Sequence, residues 1–391
     1  MYSKTQFGQL LKGFPRGAFD RLVNQEQTDK YSKGFRSWDH FVAMTYGHLA
    51  GCKSLRELEA GFNAQTAHHY HLGTKPLKRS TLSDANANRS YHLFERVCQQ
   101  LISGVHRQLK GELEQMLYLM DSSPISLYGL GFNDWACHYK NNLRQGLKLH
   151  LMIEAKQGTP CYATITGMQV SDIKEGHRIP LESGATYVFD RGYYDYNWWH
   201  QINCMQSVFV TRLKKNANIR VDQYLEIPAE EDQILEDSIV YFNNRRVKSR
   251  TEKNAYRDEP VRRITVKRED KKTPLIIVTN DFKRTASEVA ALYKKRWDIE
   301  LFFKWIKQNL KIKSFLGRSE NAVKVQIFTA LISYLLLQIY QQKNGMKTSL
   351  KLCLITLRVG LFQRVKTDHV TAQRRKRHRD RIRDLQPELV F

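Results

Sequence analysis

The stretch YKKRWDIELFFKWIK at residues 293–307 constrains the fold of this chain more than any other feature. On a helix that turns about 100° per residue, it places four polar residues on one narrow stripe: Tyr293, Arg296, Glu300 and Lys307. An apolar stripe runs beside it and is formed by Leu292, Ile299, Phe303, Ile306 and Leu310. The sequence therefore predicts a helix that packs on a core and holds one carboxylate among two cations and a phenol.

This polar stripe has two interpretations. It is either a solvated helix face with ion pairs four residues apart, such as Glu300 with Lys304, or part of a binding site. In the second interpretation the acid holds a metal ion, and its cationic neighbours hold phosphates. The stripe alone does not separate the two.

Two short apolar runs each stop at an aspartate. Residues 116–120 precede Asp121 and residues 185–189 precede Asp190, and both runs predict buried strands that end in a carboxylate. Further strands are predicted at residues 146–153, 161–166, 207–212 and 274–279, with short helices at 172–181 and through Trp198. This order of elements predicts a mixed α/β sheet.

Asp121, Asp190 and Glu300 are candidates for one metal site at the edge of this sheet. Three carboxylates so placed hold two divalent cations about 3.5–4 Å apart, one to activate the attacking water and one to stabilise the leaving oxygen. Mg²⁺ suits such a site because it is a hard ion that takes carboxylate, water and phosphate oxygens. The alternative is that each aspartate only forms a turn or caps a helix. Two such strands, an acid-bearing helix and a strongly basic chain together favour the metal site.

The charge of the chain points to a polyanionic partner. Its 391 residues include 63 Lys and Arg against 39 Asp and Glu, a formal net charge of +24. Nucleic acid is the simplest such partner, and a membrane surface is the alternative. The longest apolar run, residues 325–340, is short for a membrane span and predicts a buried helix. No signal peptide precedes the first polar residues, and six scattered cysteines without a CxxC pair indicate reduced thiols in a cytoplasmic protein, without a zinc site.

The sequence predicts several regions along the chain. Residues 1–105 form a helical N-terminal domain, in which Ser37 is an expected N-cap and Ser54 with Glu57 fits a capping box. Residues 79–86 fit the last helix of a helix-turn-helix that contacts DNA, although any small helical bundle gives the same pattern. The other regions are the catalytic domain at 106–212 and 274–345, a β-rich insertion at 213–273 with strands at 239–242 and 261–266, and a basic C-terminal region at 346–391.

The polar stripe resembles the signature of a known family. Tyr293-x2-Arg296-x3-Glu300-x6-Lys307 matches the Tyr-Arg-Glu-Lys signature of DDE transposases of the insertion sequence 4 family. Asp121, which directly follows an apolar strand, resembles the first catalytic aspartate of that family, and Asp190 in FDRGYYD resembles the second. Over residues 115–340 the resemblance implies an α/β fold: an RNase H-like catalytic domain with a β-rich insertion, preceded by a helical N-terminal domain. The implied activity is cutting and rejoining the ends of an insertion sequence.

The resemblance also implies roles and partners. Asp121, Asp190 and Glu300 would be the catalytic residues and would hold two Mg²⁺ ions, or Mn²⁺. Tyr293, Arg296 and Lys307 would contact phosphates of the transposon end, and Arg212 is a further candidate for DNA contact. The implied partners are double-stranded DNA at the transposon ends and the target, and a second copy of the chain in a homodimer on DNA. No membrane partner is expected, and the implied location is the nucleoid of a prokaryotic cell.

Two other functions remain open. A nuclease or junction resolvase on the same fold would cut DNA without joining it. The Tyr-Arg-Glu-Lys stripe argues against this function, because strand transfer requires a protein to hold a specific DNA end. An inactivated transposase acting as a repressor would lack catalysis, yet all three acids are present. Some relatives form a DNA hairpin with an aromatic wedge from the insertion, and residues 213–273 contain no Trp to assign to that role.

The basic C-terminal segment generates a first prediction. Residues 364–383 hold nine Lys and Arg against two Asp. Each phosphate contact releases counterions, so DNA affinity falls with rising salt, and deleting the residues after Arg364 should flatten that dependence. The measurement is fluorescence anisotropy of a labelled duplex between about 50 and 200 mM salt. A slope that the deletion leaves unchanged would mean that the segment is only solvated.

Overall fold

One nine-stranded sheet runs through the described part of the chain, which in this computed structural model is residues 5–109, 116–136, 145–245, 252–269, 272–312 and 314–364. The strands are β1 Leu117–Ser126, β2 Gly146–Glu154, β3 Thr159–Gly167, β4 Thr186–Phe189, β5 Val208–Arg212, β6 Ile219–Tyr224, β7 Ile234–Phe242, β8 Val261–Val266 and β9 Leu275–Thr279. Their order is β3-β2-β1-β4-β5-β9-β8-β7-β6. β1, β4 and β5 are parallel, and the other neighbours are antiparallel. The predicted mixed α/β sheet is confirmed.

The region predicted as a β-rich insertion extends this sheet. It supplies β6, β7 and β8, and β9 joins them to the parallel strands by pairing with β8 on one side and β5 on the other. The strand predicted at 239–242 is the end of the longer β7, whereas β6 was not predicted. β6 gives little apolar signal because its sequence, IRVDQY, is mostly polar and none of its residues is buried.

Helices precede the sheet, follow it and connect its strands. They are α1 Gln6–Leu11, α2 Arg16–Glu26, α3 Ser37–Ala50, α4 Leu55–Asn63, α5 Thr66–Leu72, α6 Arg79–Asn88, α7 His92–Leu109, α8 Asp172–Gly176, α9 Tyr196–Cys204, α10 Ala286–Lys294, α11 Trp297–Asn309, α12 Glu320–Lys343 and α13 Leu350–Val359. The N-terminal helices α1, α3, α6 and α7 all pack against α12. This shared packing joins the N-terminal helices to the elements that follow the sheet.

α12 is the central helix of this packing. It is the one helix among the described residues that is long and apolar enough to cross a membrane by length and composition, and 89% of its most apolar 18-residue window is buried inside the fold. A helix that is apolar all round is typical of a core. The prediction of a buried helix at residues 325–340 is confirmed.

A buried histidine ties α3 to α12 and to the end of α11. His48 Nδ1 lies 2.7 Å from the Leu310 carbonyl oxygen, and His48 Nε2 lies 2.9 Å from the Thr329 hydroxyl oxygen. Burial lowers the pKa of His48 to about 4. The ring is therefore neutral at neutral pH, so one of its nitrogens donates and the other accepts.

The start of α3 differs by one residue from the prediction. Arg36 occupies the N-cap position, and Ser37 is the first helical residue. The backbone N–H and the hydroxyl of Ser37 both donate to Asp29 Oδ1 at 2.7 Å, while Asp39 Oδ2 accepts from the Arg36 N–H at 2.9 Å. A tertiary contact with Asp29 therefore takes the hydroxyl that the sequence assigned to capping.

The capping box predicted at α4 is present in part. Ser54 is the N-cap, and its hydroxyl oxygen accepts from the Glu57 N–H at 3.1 Å. The Glu57 carboxylate accepts from the Lys53 N–H at 2.7 Å rather than from that of Ser54, so the pair is not reciprocal. Residues 79–86 lie in α6 as predicted, whereas α5 occupies part of the stretch expected to be a polar link.

The helix predicted to carry the whole polar stripe is two helices. α10 ends at Lys294, α11 begins at Trp297, and the turn between them has bonds from the Arg296 N–H to the Tyr293 carbonyl and from the Asp298 N–H to the Lys295 carbonyl. The sequence has no Gly or Pro here, so its pattern could not reveal the break. The helix breaks because its two parts pack on different partners. α10 lies on β4, β5, β7 and β8, whereas α11 lies on β1 and α12.

β1 does not stop at Asp121, as the sequence predicted. The strand continues to Ser126 because β2 pairs with it over the whole length from Tyr118 to Ser126. On the other side, β4 pairs with β1 only as far as Met120. Pro124, which has no N–H to donate, falls in the part of β1 that β4 no longer accompanies. Asp121 is therefore inside a strand, at the point where its parallel neighbour ends.

The C-terminal region holds a helix that was not predicted. α13 lies within residues 346–391, for which the sequence predicted only a basic region, and the basic segment after residue 364 lies outside the described residues. The described cysteines are free thiols, as expected: Cys52, Cys98, Cys161, Cys204 and Cys353. Cys137 lies outside the described residues.

Candidate active site

Two of the predicted site residues, Asp121 and Asp190, lie side by side. Met120 on β1 pairs in parallel with Phe189 on β4, and the two aspartates are the next residues along these strands. β4 ends at Phe189, and Asp190 Oδ1 accepts from the Gly192 N–H at 2.7 Å, which caps the short 3-10 turn Arg191–Tyr193. Asp190 therefore has the turn-capping role that was the alternative interpretation, and it also lies beside a second carboxylate.

Arg296 joins the third acid to this pair. Arg296 Nη2 lies 2.6 Å from Glu300 Oε1, and Arg296 Nη1 lies 3.6 Å from Asp121 Oδ2. The exposed fraction of the side chain is 17% for Arg296, 35% for Glu300 and 16% for Asp121. The cluster is therefore partly shielded from water. One guanidinium thus lies between a carboxylate of α11 and a carboxylate of β1.

The charge of Asp121 is unfavourable in this arrangement. Burial, together with the neighbouring charges of Asp190 and Glu300, raises the pKa of Asp121 to about 7, against the hydrogen bond from Ser122 and the charge of Arg296. The Ser122 N–H donates to Asp121 Oδ1 at 2.8 Å. Carboxylates held close enough to oppose one another's ionisation need a cation to offset their charge.

These carboxylates fit a divalent metal by their chemistry. Carboxylate oxygens are the ligands of hard cations such as Mg²⁺. The raised pKa of Asp121 reflects its burial and, after that, the negative charge of Asp190 and Glu300, which such a cation would offset. Among the described residues, no three His, Cys, Asp or Glu side chains stand close enough to hold one ion together. The positive charge at Asp121 and Glu300 comes instead from the Arg296 guanidinium.

Tyr293 and Arg212 border the same cluster. Tyr293 is on α10 and 7% exposed, and its ring lies 5.9 Å from the Arg296 guanidinium carbon. Burial raises the pKa of Tyr293, whereas the charges of Arg296 and Arg212 lower it and that of Asp190 raises it. Arg212 ends β5 and is half-buried. All the stripe residues except Lys307 therefore gather around Asp121 and Asp190, even though the helix is broken.

Lys307 lies further along β1. Its Nζ donates to Ser123 Oγ at 2.7 Å and to the Pro124 carbonyl oxygen at 2.9 Å. It lines a cleft of about 470 Å³ together with Asp121, Ser122, Ser123, Glu300, Phe303, Lys304 and Gln308. The cleft is lined by two carboxylates and two lysines, which suits a phosphate backbone placed against a metal site.

Trp297 is a residue that the sequence pattern did not single out. It begins α11 beside Arg296, and 57% of it is exposed. An exposed indole is a surface on which a nucleic-acid base can stack. The insertion at 213–273 has no Trp for such a role, whereas the structure exposes one on the helix that carries Glu300. The signal in the sequence was its position outside the apolar stripe.

Asp121 generates a prediction about stability and pH. Its pKa is about 7 in the fold against an ordinary 3.8, so the folded chain retains a proton that the unfolded chain loses. Its contribution to stability is therefore greatest at low pH and falls as the pH rises from about 4 through 7. Asp121→Asn removes the charge, so in EDTA its Tm should exceed that of the wild type by a margin that grows with pH, by about a few degrees.

The measurement is differential scanning fluorimetry at several pH values between about 5 and 8. Glu320→Gln is the control, because it removes a carboxylate that pairs with Lys324 at 2.7 Å on α12. The difference between its Tm and that of the wild type should not change with pH. A constant margin for Asp121→Asn as well would contradict the assignment of this pH dependence to Asp121.

Comparisons with known proteins found matching families and a similar solved structure. Residues 113–336 match the family described as Transposase DDE domain, and residues 2–75 match a family described as a domain of unknown function, DUF4372. A solved structure of a piggyBac transposase synaptic complex with hairpin DNA superposes with a TM-score of 0.49 at 10% identity, covering 100% of this chain and 86% of that one. That likeness is too weak to support an argument about function.

Three relatives are similar over most of the chain. A Sinorhizobium fredii protein named as a transposase, y4zB, is 41% identical over 264 residues, which are 67% of this chain and 71% of that protein. Proteins named as transposases of insertion sequence elements IS5377, from Geobacillus stearothermophilus, and IS4SA, from Synechocystis, are each 25% identical, covering 71% and 66% of this chain and 71% of each relative. The chain belongs to the DDE transposase family, whose members are metal-dependent enzymes that cleave DNA.

Proposed function

We propose that this transposase binds the terminal inverted repeats of an insertion sequence and carries out Mg²⁺-dependent cleavage and strand transfer there. The observation that carries the proposal is the parallel register of β1 and β4, which sets Asp121 beside Asp190, with Glu300 joined to Asp121 through Arg296. The family match supports transposition, and the cleft in which Lys304 and Lys307 lie near the acids supports a DNA strand as the occupant.

Two features support membership of the insertion sequence 4 branch and an RNase H-like catalytic domain. The first is the spacing of Tyr293, Arg296, Glu300 and Lys307. The second is the strand order β3-β2-β1-β4-β5, in which β1, β4 and β5 are parallel and β2 and β3 are antiparallel to their neighbours. Within this proposal, residues 1–105 are the DNA-binding domain, 106–212 and 274–345 the catalytic domain, 213–273 the insertion and 346–391 a basic region.

In this mechanism Asp121, Asp190 and Glu300 would hold the metal ions. The chemistry supplied there by Mg²⁺ or Mn²⁺ would be polarisation of a phosphoryl oxygen and stabilisation of the leaving oxygen. The protein positions its ligands through the backbone: the Ser122 N–H holds the Asp121 carboxylate, and the Gly192 N–H holds that of Asp190. Arg296 offsets the charge of Asp121 and Glu300, and its guanidinium would be available to a phosphate if a bound cation took over that role.

The cations hold the DNA strand. Lys307 is a point-charge partner for a phosphate, and Arg296 can bind two phosphate oxygens at once. Tyr293 lies near Arg296, Arg212 and Asp190, so Tyr293 and Arg212 suit a neighbouring phosphate. A homodimer on DNA follows from the need to hold two ends together. Transposon ends and target DNA are the two substrates, and a nucleoid-associated location in a prokaryotic cytoplasm agrees with both.

Loss of any one acid should abolish cleavage. Asp121→Asn, Asp190→Asn and Glu300→Gln each remove one metal ligand while leaving the basic surface unchanged, so DNA binding should persist. The measurement is nicking of a duplex that carries the element end, in Mg²⁺ and in EDTA, together with its binding by gel shift. Asp20→Asn, which affects an exposed aspartate paired with Arg16 on α2, is a control that should cleave normally. Full activity in any of the three variants would overturn the site assignment.

We expect the variants Lys307→Ala and Arg296→Ala to weaken the binding of the DNA end more than the cleavage step. Lys307 lies seven residues beyond Glu300, roughly 10 Å along the axis at 1.5 Å per residue, too far to share its metal ions. Each variant should therefore weaken strand joining more than first-strand nicking, with the larger loss for Arg296→Ala if its phosphate contact is bidentate. Excess Mg²⁺ should rescue neither, because metal affinity is not what was lost.

Nicking and strand transfer are measured separately across a Mg²⁺ titration. Lys351→Ala, which removes an exposed cation from α13, is the control for a simple loss of positive charge. Recovery of Lys307→Ala to normal strand transfer in excess Mg²⁺ would show that Lys307 serves the metal site instead.

A further inference from the structure

A fourth carboxylate lies behind the candidate active site. Asp172 begins α8, and its Oδ1 accepts from Lys148 Nζ on β2 at 2.9 Å. The same ammonium donates to the Val170 carbonyl oxygen at 2.7 Å, two residues before Asp172. The side chains of Lys148 and Asp172 are only 13% and 22% exposed. Lys148 therefore anchors both the aspartate and the backbone that leads into its helix.

Asp172 is linked to the first catalytic strand. Ser122 Oγ donates to Asp172 Oδ1 at 2.7 Å. Ser122 directly follows Asp121, and its backbone N–H donates to Asp121 Oδ1 at 2.8 Å. Consecutive side chains of a strand point to opposite faces of the sheet. Asp172 therefore holds the residue next to Asp121 from the other face.

Asp172 also lies against the second catalytic turn. A Cβ added to Gly192 would lie 2.6 Å from Asp172 Oδ2 and 2.9 Å from Asp190 Oδ1. Both carboxylates therefore pack against the same glycine, whose N–H is bonded to Asp190. A side chain at this position would have to displace at least one of the two carboxylates.

The groups around Asp172 make it a charged, shielded centre. His150 Nδ1 lies 3.7 Å from Asp172 Oδ1, and its Nε2 bonds with the Thr166 hydroxyl at 2.8 Å. His150 is fully buried, and burial lowers its pKa to about 4, so it carries no charge at neutral pH. Lys148 is thus the cation that offsets the charge of Asp172.

We propose that Asp172 is a positioning residue, which aligns Asp121 through Ser122 and Asp190 through Gly192. Its Oδ1 faces Ser122 inside β1, its Oδ2 faces Gly192 in the turn after β4, and Lys148 keeps the carboxylate in place. The inference rests on the proposed function, in which Asp121 and Asp190 hold metal ions. Ligands must be held within a fraction of an ångström for metal binding, and residues that hold the ligands contribute strongly to affinity.

The test uses the full chain and Mn²⁺ as the probe. Asp172→Asn keeps the size of the side chain and an acceptor for Ser122 but loses the charge that holds Lys148. Ser122→Ala removes only the link to β1. The double variant Asp172→Asn with Lys148→Met removes both charges, so a defect that persists in it does not come from an unpaired ammonium. Glu320→Gln is the matched control, since it breaks a Lys–carboxylate pair of 2.7 Å on α12.

The measurements are the Mn²⁺ dissociation constant by calorimetry without DNA, and kcat and KM for nicking. The single and double Asp172 variants should bind Mn²⁺ at least about tenfold more weakly, and Ser122→Ala should show part of this loss. Nicking should lose kcat with KM for DNA unchanged, and the circular dichroism spectrum should match the wild type. Glu320→Gln should bind and cleave normally.

Each other result overturns the inference. Wild-type Mn²⁺ affinity in Asp172→Asn would overturn it and leave the proposed function intact. Full recovery of Mn²⁺ affinity in the double variant would show that the unpaired Lys148 ammonium, and not the loss of Asp172, causes the defect. Normal affinity in Ser122→Ala with lost affinity in Asp172→Asn would make Asp172 a metal ligand rather than a positioning residue. A wild-type chain that neither binds Mn²⁺ nor nicks DNA would overturn the proposed function and this inference together.

Discussion

The parallel pairing of β1 with β4 is the interaction on which the candidate site depends. It runs from Leu117 with Thr186 to Met120 with Phe189 and then ends, because β4 turns away at Asp190 while β1 continues along β2. A carboxylate at this point on each strand is thereby brought beside the other without any direct bond between them. The hydrogen bonds of the backbone supply the stability that allows two like charges to stay close.

Close like charges make the site depend on cations. In the free protein one cation is Arg296, which lies between Glu300 and Asp121, and another is Lys148, which offsets Asp172 behind them. These cations favour the charged form of the acids, although burial and the neighbouring carboxylates still raise the pKa of Asp121 to about 7. The basic side chains of the chain, whose net charge is +24, therefore have a local role besides DNA attraction, because they offset part of the negative charge of the acids.

The helices give this site a rigid support. α11 lies on β1 and carries Glu300, while α12 lies under α11 and is packed by the N-terminal helices from its other sides. His48, with neutral hydrogen bonds to Leu310 and Thr329, couples α3 to the end of α11 and to α12. A displacement of the N-terminal helices would therefore reach the helix that carries Glu300 through packed side chains.

Local pattern was enough to predict the strands that carry the site, the buried helix at 325–340 and the apolar face of α11, because burial imposes a period that side chains display. The solvated strand β6 shows no such period, because none of its residues is buried, and the sequence therefore did not predict it. The break between α10 and α11, the continuation of β1 past Asp121 and the approach of Asp172 to Asp190 come from partners far away in the chain. Sequence thus determined which residues are acids, cations and apolar faces. Only the tertiary structure decided which of them meet, because long-range contacts set the distances between charges, and those distances decide whether an arginine, a lysine or a backbone N–H holds each carboxylate.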